Sequence, residues 1–124
     1  MTFWDLEDWM TDVGAGLLDR SSPGEKLSRK EDAMLRFWIL DTEARNGGLS
    51  QYFRNHGQAE WVACMACAAA LDLTTFVPFA AAVNALLAKH ADPFLAIRSD
   101  GDEGEDLWFR HQPQVIRELK RLTQ

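Results

Sequence analysis

The sequence predicts an all-α fold, a compact bundle of about five to six helices in a single domain over residues 1–124. Three observations carry that expectation. Phe3, Leu6, Trp9, Met10, Val13 and Leu17 recur at steps of three and four, which is one face of an amphipathic helix. Ser28-Arg-Lys-Glu31 has the form of a capping box, and a Gly-Gly pair at 47–48 marks where the helix it starts should stop. No segment sustains the alternation of a half-buried strand, and no internal repeat is present.

The first helix is expected over 2–18, with Thr2 as N-cap and with Gly14 and Gly16 weakening its last turns. Ser21-Ser-Pro-Gly24 reads as a loop. The second helix should run from about Arg29 to Arg45, its face continued by Met34, Phe37, Trp38 and Asp41 to Ala44. A short helix, Leu49 to Asn55, should follow and end at His56-Gly57. Ala59 to Leu71 is the third main helix, rich in alanine. Asp72-Leu-Thr-Thr75 is a turn with an N-cap candidate. Phe76 to His90 is the fourth main helix, with Pro78 tolerable in its first turn, and Ala91-Asp-Pro93 should break it. Ser99 to Asp106 reads as an acidic loop, and Pro113 should open a last helix, Gln114 to Leu122. Phe37, Trp38, Phe53, Trp61, Leu71 and Leu86 are the expected core, with the first helix packed on it through Phe3, Leu6 and Trp9.

Charge narrows the function. The net charge of -6 and pI near 4.9 disfavour direct binding to nucleic acid or to an anionic membrane, and favour a basic partner. The start of the chain has no basic, long-apolar leader pattern, and the apolar run Trp61 to Leu71 is too short to span a bilayer, so a cytoplasmic protein is expected.

No catalytic or cofactor signature stands out, and neither a metal nor a cofactor is expected. Cys64 and Cys67 lie in an apolar helical run without a second Cys or His pair at zinc spacing, so they read as small core residues. The segment from Asp100 imitates a calcium loop, but glycine falls at its fifth position and His111 at its twelfth, where an EF-hand needs Gly at the sixth and Glu at the twelfth. Asp5, Asp8, Asp12 and Asp19 form an acidic stripe. It spans ~21 Å at ~1.5 Å per residue. A duplex carries roughly twelve charges over that length, about threefold more than these four carboxylates. The stripe alone is a poor imitation of DNA. A dimer that added the acidic loop would be a better one.

The most informative segment is Glu43-Ala-Arg-Asn-Gly-Gly-Leu-Ser-Gln-Tyr-Phe-Arg-Asn55. Gln51 and Asn55, four apart, are placed to bond the orphan carbonyls where the second helix stops, and Glu43 to bond the free amides that start the short helix. On that reading the cluster locks a helix corner. The rival reading is a polar pocket with Glu43 as acid or base, assisted by Tyr52 and His56.

This segment resembles a bacterial DNA-mimic protein family, whose motif reads Glu, two variable residues, Asn-Gly-Gly, two variable residues, Gln, an aromatic, Phe, one variable residue, Asn, then Gly. The matching residues are Glu43, Asn46, Gly47, Gly48, Gln51, Tyr52, Phe53, Asn55 and Gly57, and the resemblance covers about 28–122. It implies an all-α fold, frequently dimeric, without enzymatic activity, that presents carboxylates to a DNA-binding protein where phosphates would sit. Arg45 and Arg54 inside the motif, and Arg110, Arg117, Lys120 and Arg121 beyond it, depart from a uniformly acidic surface.

The leading expectation is therefore a non-enzymatic protein-binding module with a basic partner, conceivably a DNA-binding regulator, and a homodimer as its assembly. Asp5, Asp8, Asp12, Asp102, Glu103, Glu105 and Asp106 are the candidate contacts. One alternative is a small-ligand binder or enzyme using Glu43, Asn46, Gln51 and Asn55. Another is a toxin-immunity protein, which only a neighbouring toxin gene would distinguish from the first.

Overall fold

A computed structural model describes residues 3–20 and 27–123, without the side chains of Phe3, Trp4, Asp5, Glu7 and Arg20. Every regular element among them is helical: α1 (Phe3–Arg20), α2 (Arg29–Gly47), α3 (Leu49–Ala70), α4 (Phe76–Leu87), α5 (Pro93–Arg98), α6 (Asp102–Glu105) and α7 (Leu107–Thr123). The expected cap Thr2 and the loop Ser21–Gly24 lie outside the described residues.

Helix α2 begins as its sequence dictates. The Ser28 hydroxyl accepts from the Glu31 amide and the Glu31 carboxylate accepts from the Ser28 amide, each at 3.1 Å. The helix runs two residues past the expected Arg45 and stops at Gly48, whose φ of +86° needs no Cβ and whose amide donates to the Ala44 carbonyl. Helix α3 follows at once. It contains the expected break, because Gly57 is non-helical at φ +80° and ψ 179° and separates Leu49–His56 from the alanine-rich remainder.

Four expectations are corrected in the second half. Helix α4 stops at Leu87, short of His90, with Ala88 as its C-cap. Asp92 and Pro93, expected to break it, instead start α5, a helix absent from the sequence reading. The Asp92 carboxylate accepts from the Phe94 amide, and Pro93 fills the first helical position, where no donor is lost. The expected loop 99–106 contains the one-turn helix α6. Pro113 does not open the last helix. It lies inside α7, which starts at Leu107. A proline there forfeits one helical hydrogen bond, a cost of about 3 kcal/mol. The buried stripe Leu107, Trp108, Gln112, Val115, Ile116 and Leu119 runs through both sides of it and offsets that cost.

All the longer helices contribute to one core. Phe37, Trp61, Phe76, Phe79 and Trp108 form a chain of edge-to-face and tilted ring contacts with centroids 5.1–5.8 Å apart. Phe53 and Leu86 are buried with them, while Trp38 and Leu71 are half-buried against the same cluster. Leu6, Met10 and Leu17 of α1 are buried and Trp9 packs on the core. Phe3 lies outside the described side chains. The most extensive packing is between α2 and α3; α3 also packs on α5, and α1 on α2 and α7.

Candidate functional site

The corner at Gly47-Gly48 is closed by a different residue from the one expected. The Glu105 carboxylate of α6 accepts from the Ser50 amide at 2.8 Å and from the Ser50 hydroxyl at 2.7 Å, capping the start of α3. Glu43 does not serve that end. Its Oε2 accepts from the Asn55 side-chain amide at 2.5 Å, and the His56 Nε2 lies 3.9 Å from the same oxygen. Gln51 folds over Gly47, where a Cβ would overlap its amide. No hydrogen bond among the described residues ties the Asn46 or Gln51 side chain to Glu43. The nine motif residues therefore separate. Gly48 and Gly57 supply the two left-handed bends, Tyr52 and Phe53 are buried, and Glu43 with Asn55 bridges α2 to the end of the first part of α3. The carbonyl caps expected from Gln51 and Asn55 give way to the Gly48 amide, which donates to the Ala44 carbonyl, and the amide cap expected from Glu43 gives way to Glu105.

Asp41 is the residue sequence reasoning passed over. It is 0% exposed, and its Oδ1 accepts from the Trp108 indole at 3.0 Å and the Gln112 amide at 2.6 Å. Arg45 Nε lies 3.0 Å from Oδ2, off the N–H direction, so it acts mainly through its charge. Arg45 also reaches Thr11 of α1 at 3.4 Å. The signal was present in the pattern. Asp41 follows Phe37 by four, and Trp108 and Gln112 are four apart, so all sit on buried faces. This network ties α2 to α7 and α1, and it satisfies a buried carboxylate that would otherwise be costly.

Around Cys64 and Cys67 the chemistry is that of a core. Burial pushes the Cys64 thiol above its ordinary value, helped by Cys67 and Glu60, and burial likewise raises Cys67 beside Asp32. A reactive thiol needs the opposite shift. Arg36 links Asp32 at 3.0 Å and Glu60 at 2.7 Å. Burial disfavours its charge, but the two carboxylates outweigh that and raise it. Tyr52 is raised by burial and by Cys64 and Glu60, and its hydroxyl has no hydrogen-bond partner. No group of three metal-ligating side chains converges among the described residues.

The acidic candidates fall in two places. Asp8, Asp12 and Asp19 are exposed on α1, and steps of four and seven keep them on one helix face. The Asp5 side chain lies outside those described. Asp102, Glu103 and Asp106 are exposed at α6, whereas Glu105 is half-buried and engaged by Ser50, so its carboxylate faces inward. Part of the basic complement of α7 is occupied within the molecule. Lys120 lies over the Trp9 ring at 5.5 Å, and Arg121 is 3.5 Å from Glu118. Arg54 lies over Phe94 at 5.4 Å.

With this geometry in hand, a family model described as DMP19-like protein matches residues 25–122. The chain belongs to the DMP19-like protein family. The match begins just before the capping box and ends at the last turn of α7, so it takes in the Gly-Gly corner, the Asp41 network and α6. The family's name marks it as a DNA-mimic family, and this chain is an all-α member of it. No curated protein and no solved structure matches the chain. No helix among the described residues is long and apolar enough to cross a membrane.

Proposed function

We propose that this DMP19-like chain is a non-enzymatic binding module that presents carboxylates to a basic partner, a DNA-binding protein in the first instance. The observation that carries this reading is the exposed row Asp8, Asp12 and Asp19 on α1, joined by Asp102, Glu103 and Asp106 at α6, on a chain of family type and net charge -6. Fixed carboxylates on helices attract cationic surfaces at long range, and the attraction is screened within about 10 Å at 0.1 M salt. The reading also includes a second copy of the chain. Residues 73–88 hold no Asp, Glu, Lys or Arg, and the outward side of α3 and α4 carries Val62 and Val77, 53% and 64% exposed. Two chains of net charge -6 can meet on such a face without bringing like charges together.

The test is capture of purified DNA-binding regulators by the immobilised full chain over a salt ramp. The wild type should retain at least one at low salt and lose it by ~0.3 M. Duplex DNA should compete for the same protein, and a D8N/D12N/D102N/E103Q variant should lose retention throughout. Retention that ignores salt, or that survives in the variant, rejects the proposal.

A further inference from the structure

Between the end of α1, the middle of α2 and the first part of α3 lies an open groove of about 260 Å³, lined by Leu18, Trp38, Ile39, Thr42, Glu43 and His56. Its walls are largely apolar, and its single carboxylate belongs to Glu43, whose side chain is 18% exposed. Both contacts to that carboxylate, from Asn55 and His56, converge on Oε2, and no described residue bonds Oε1. The neighbouring Thr42 hydroxyl is buried and has no partner. The groove thus offers the Glu43 carboxylate above an aliphatic and aromatic wall. No arginine or lysine among the described residues lines it, and Leu18 at its rim directly precedes Asp19, the last carboxylate of the exposed α1 row.

We infer that this groove receives an arginine side chain of the basic partner, its methylene stem against Leu18 and Ile39 and its guanidinium on Glu43. The inference rests on the acidic-surface reading above and adds its anchor. Arginine suits the site better than lysine. Its planar group carries five donors in a fork that matches a carboxylate, and it tolerates contact with an aromatic ring such as Trp38. A weakly hydrated cation also loses less on entering an apolar groove. Central aromatic and arginine contacts of this kind dominate the energetics of many interfaces, while rim carboxylates mainly speed encounter.

The experiment follows the full-length, ¹⁵N-labelled protein during titration with N-acetyl-arginine amide, its neutral isostere N-acetyl-citrulline amide, and N-acetyl-lysine amide. Saturable shifts are expected at the amides of residues 39–43 and at the His56 ring with the arginine probe. The citrulline and lysine probes should bind about tenfold more weakly, the factor expected for a lost charge-assisted hydrogen bond. Glu43→Gln should weaken the arginine probe by a similar factor. Leu18→Lys, at a half-exposed position where folding is not at stake, should do the same by setting a tethered cation at the rim. Equal responses to all three probes, shifts confined to Asp8 and Asp12, or wild-type binding by both variants would each overturn the anchor. Salt-dependent capture that persists while the groove ignores arginine sinks the anchor alone, and loss of salt-dependent capture sinks the acidic-surface reading.

Discussion

Gly14 and Gly16 look alike in the sequence, as two residues that lower helix propensity near the end of α1, and their surroundings make them opposites. Gly14 is buried beneath Trp38, and a Cβ there would overlap the indole ring. Gly16 is exposed and has nothing within 4 Å of the same position. Replacing either by alanine gains about 1 kcal/mol of helix propensity. At Gly14 the overlap with a ring held between two helices costs about 1–3 kcal/mol and wins. Gly14→Ala should therefore lower Tm, and Gly16→Ala should raise it by a few degrees, in thermal melts followed by circular dichroism. A shift of the same sign for both would show that propensity alone governs α1. Asp41 teaches the same lesson for charge. The sequence places it on the helix face of Phe37, and only Trp108 and Gln112, arriving from the other end of the chain, bond it there.

The starts of α3 and α4 lack a local side-chain cap, and each is closed by a glutamate from far along the chain. Glu105 serves Ser50 at α3, and Glu118 serves Thr74 and Thr75 at α4, with bonds of 2.8 Å to the Thr75 amide, the Thr75 hydroxyl and the Thr74 hydroxyl. The Gly-Gly corner is consequently a two-part joint. Gly48 supplies the left-handed backbone and closely approaches Glu105, while Gly47 is an ordinary helical position covered by the movable Gln51 side chain. Gly48→Ala should cost about 1–3 kcal/mol through backbone strain and displacement of Glu105. Gly47→Ala should be near neutral or slightly stabilising. Urea denaturation of the two variants separates them, and equal losses would place the bend on both glycines.

The Glu118 cap makes a pH prediction. Burial alone would raise its carboxyl, but the bonds from Thr75 and Thr74, with Arg121 nearby, hold it below the ordinary 4.5. A carboxyl depressed in the folded state contributes stability that is fully present above its unfolded pKa and is lost as pH falls through the folded value. Wild-type Tm should therefore fall more steeply than that of Glu118→Gln as pH drops from about 5 towards 3. Parallel curves would remove Glu118 from the acid response.

For the whole molecule the distribution of charge matters more than its sum. Acidic side chains lie on α1 and α6, several basic ones on α7 are already engaged, and the outward side of α3 and α4 is nearly free of charge. If two copies meet on that uncharged face, Val62→Glu/Val77→Glu should give a monomer by sedimentation velocity at concentrations where the wild type is a dimer. Both valines are more than half exposed, so the change should leave the melt within about 0.5 kcal/mol of wild type. Identical sedimentation of the two proteins would exclude the face. An interface there would leave Asp8 and Asp12 exposed to another partner, since α1 packs on α2 and α7.

Local chemistry determined much of this protein from its residues alone. Periodicity marked α1 to α4, the capping box fixed the start of α2, and the glycines at 48 and 57 placed both bends, because each of these signals acts within a turn or two of its own position. The resemblance to the DMP19-like family was legible for the same reason. Tertiary structure alone decided what closed the corner, what hydrogen-bonded Asp41, how a helix could carry Pro113 in its interior, and which of the acidic residues faced water. Those outcomes depend on partners 43 to 71 positions apart in the chain, and on burial energies that outweigh local preference. Glu105 shows the limit most directly. In the sequence it is one carboxylate of an acidic run, and only the approach of α6 to the start of α3 turns it from a surface charge into a helix cap.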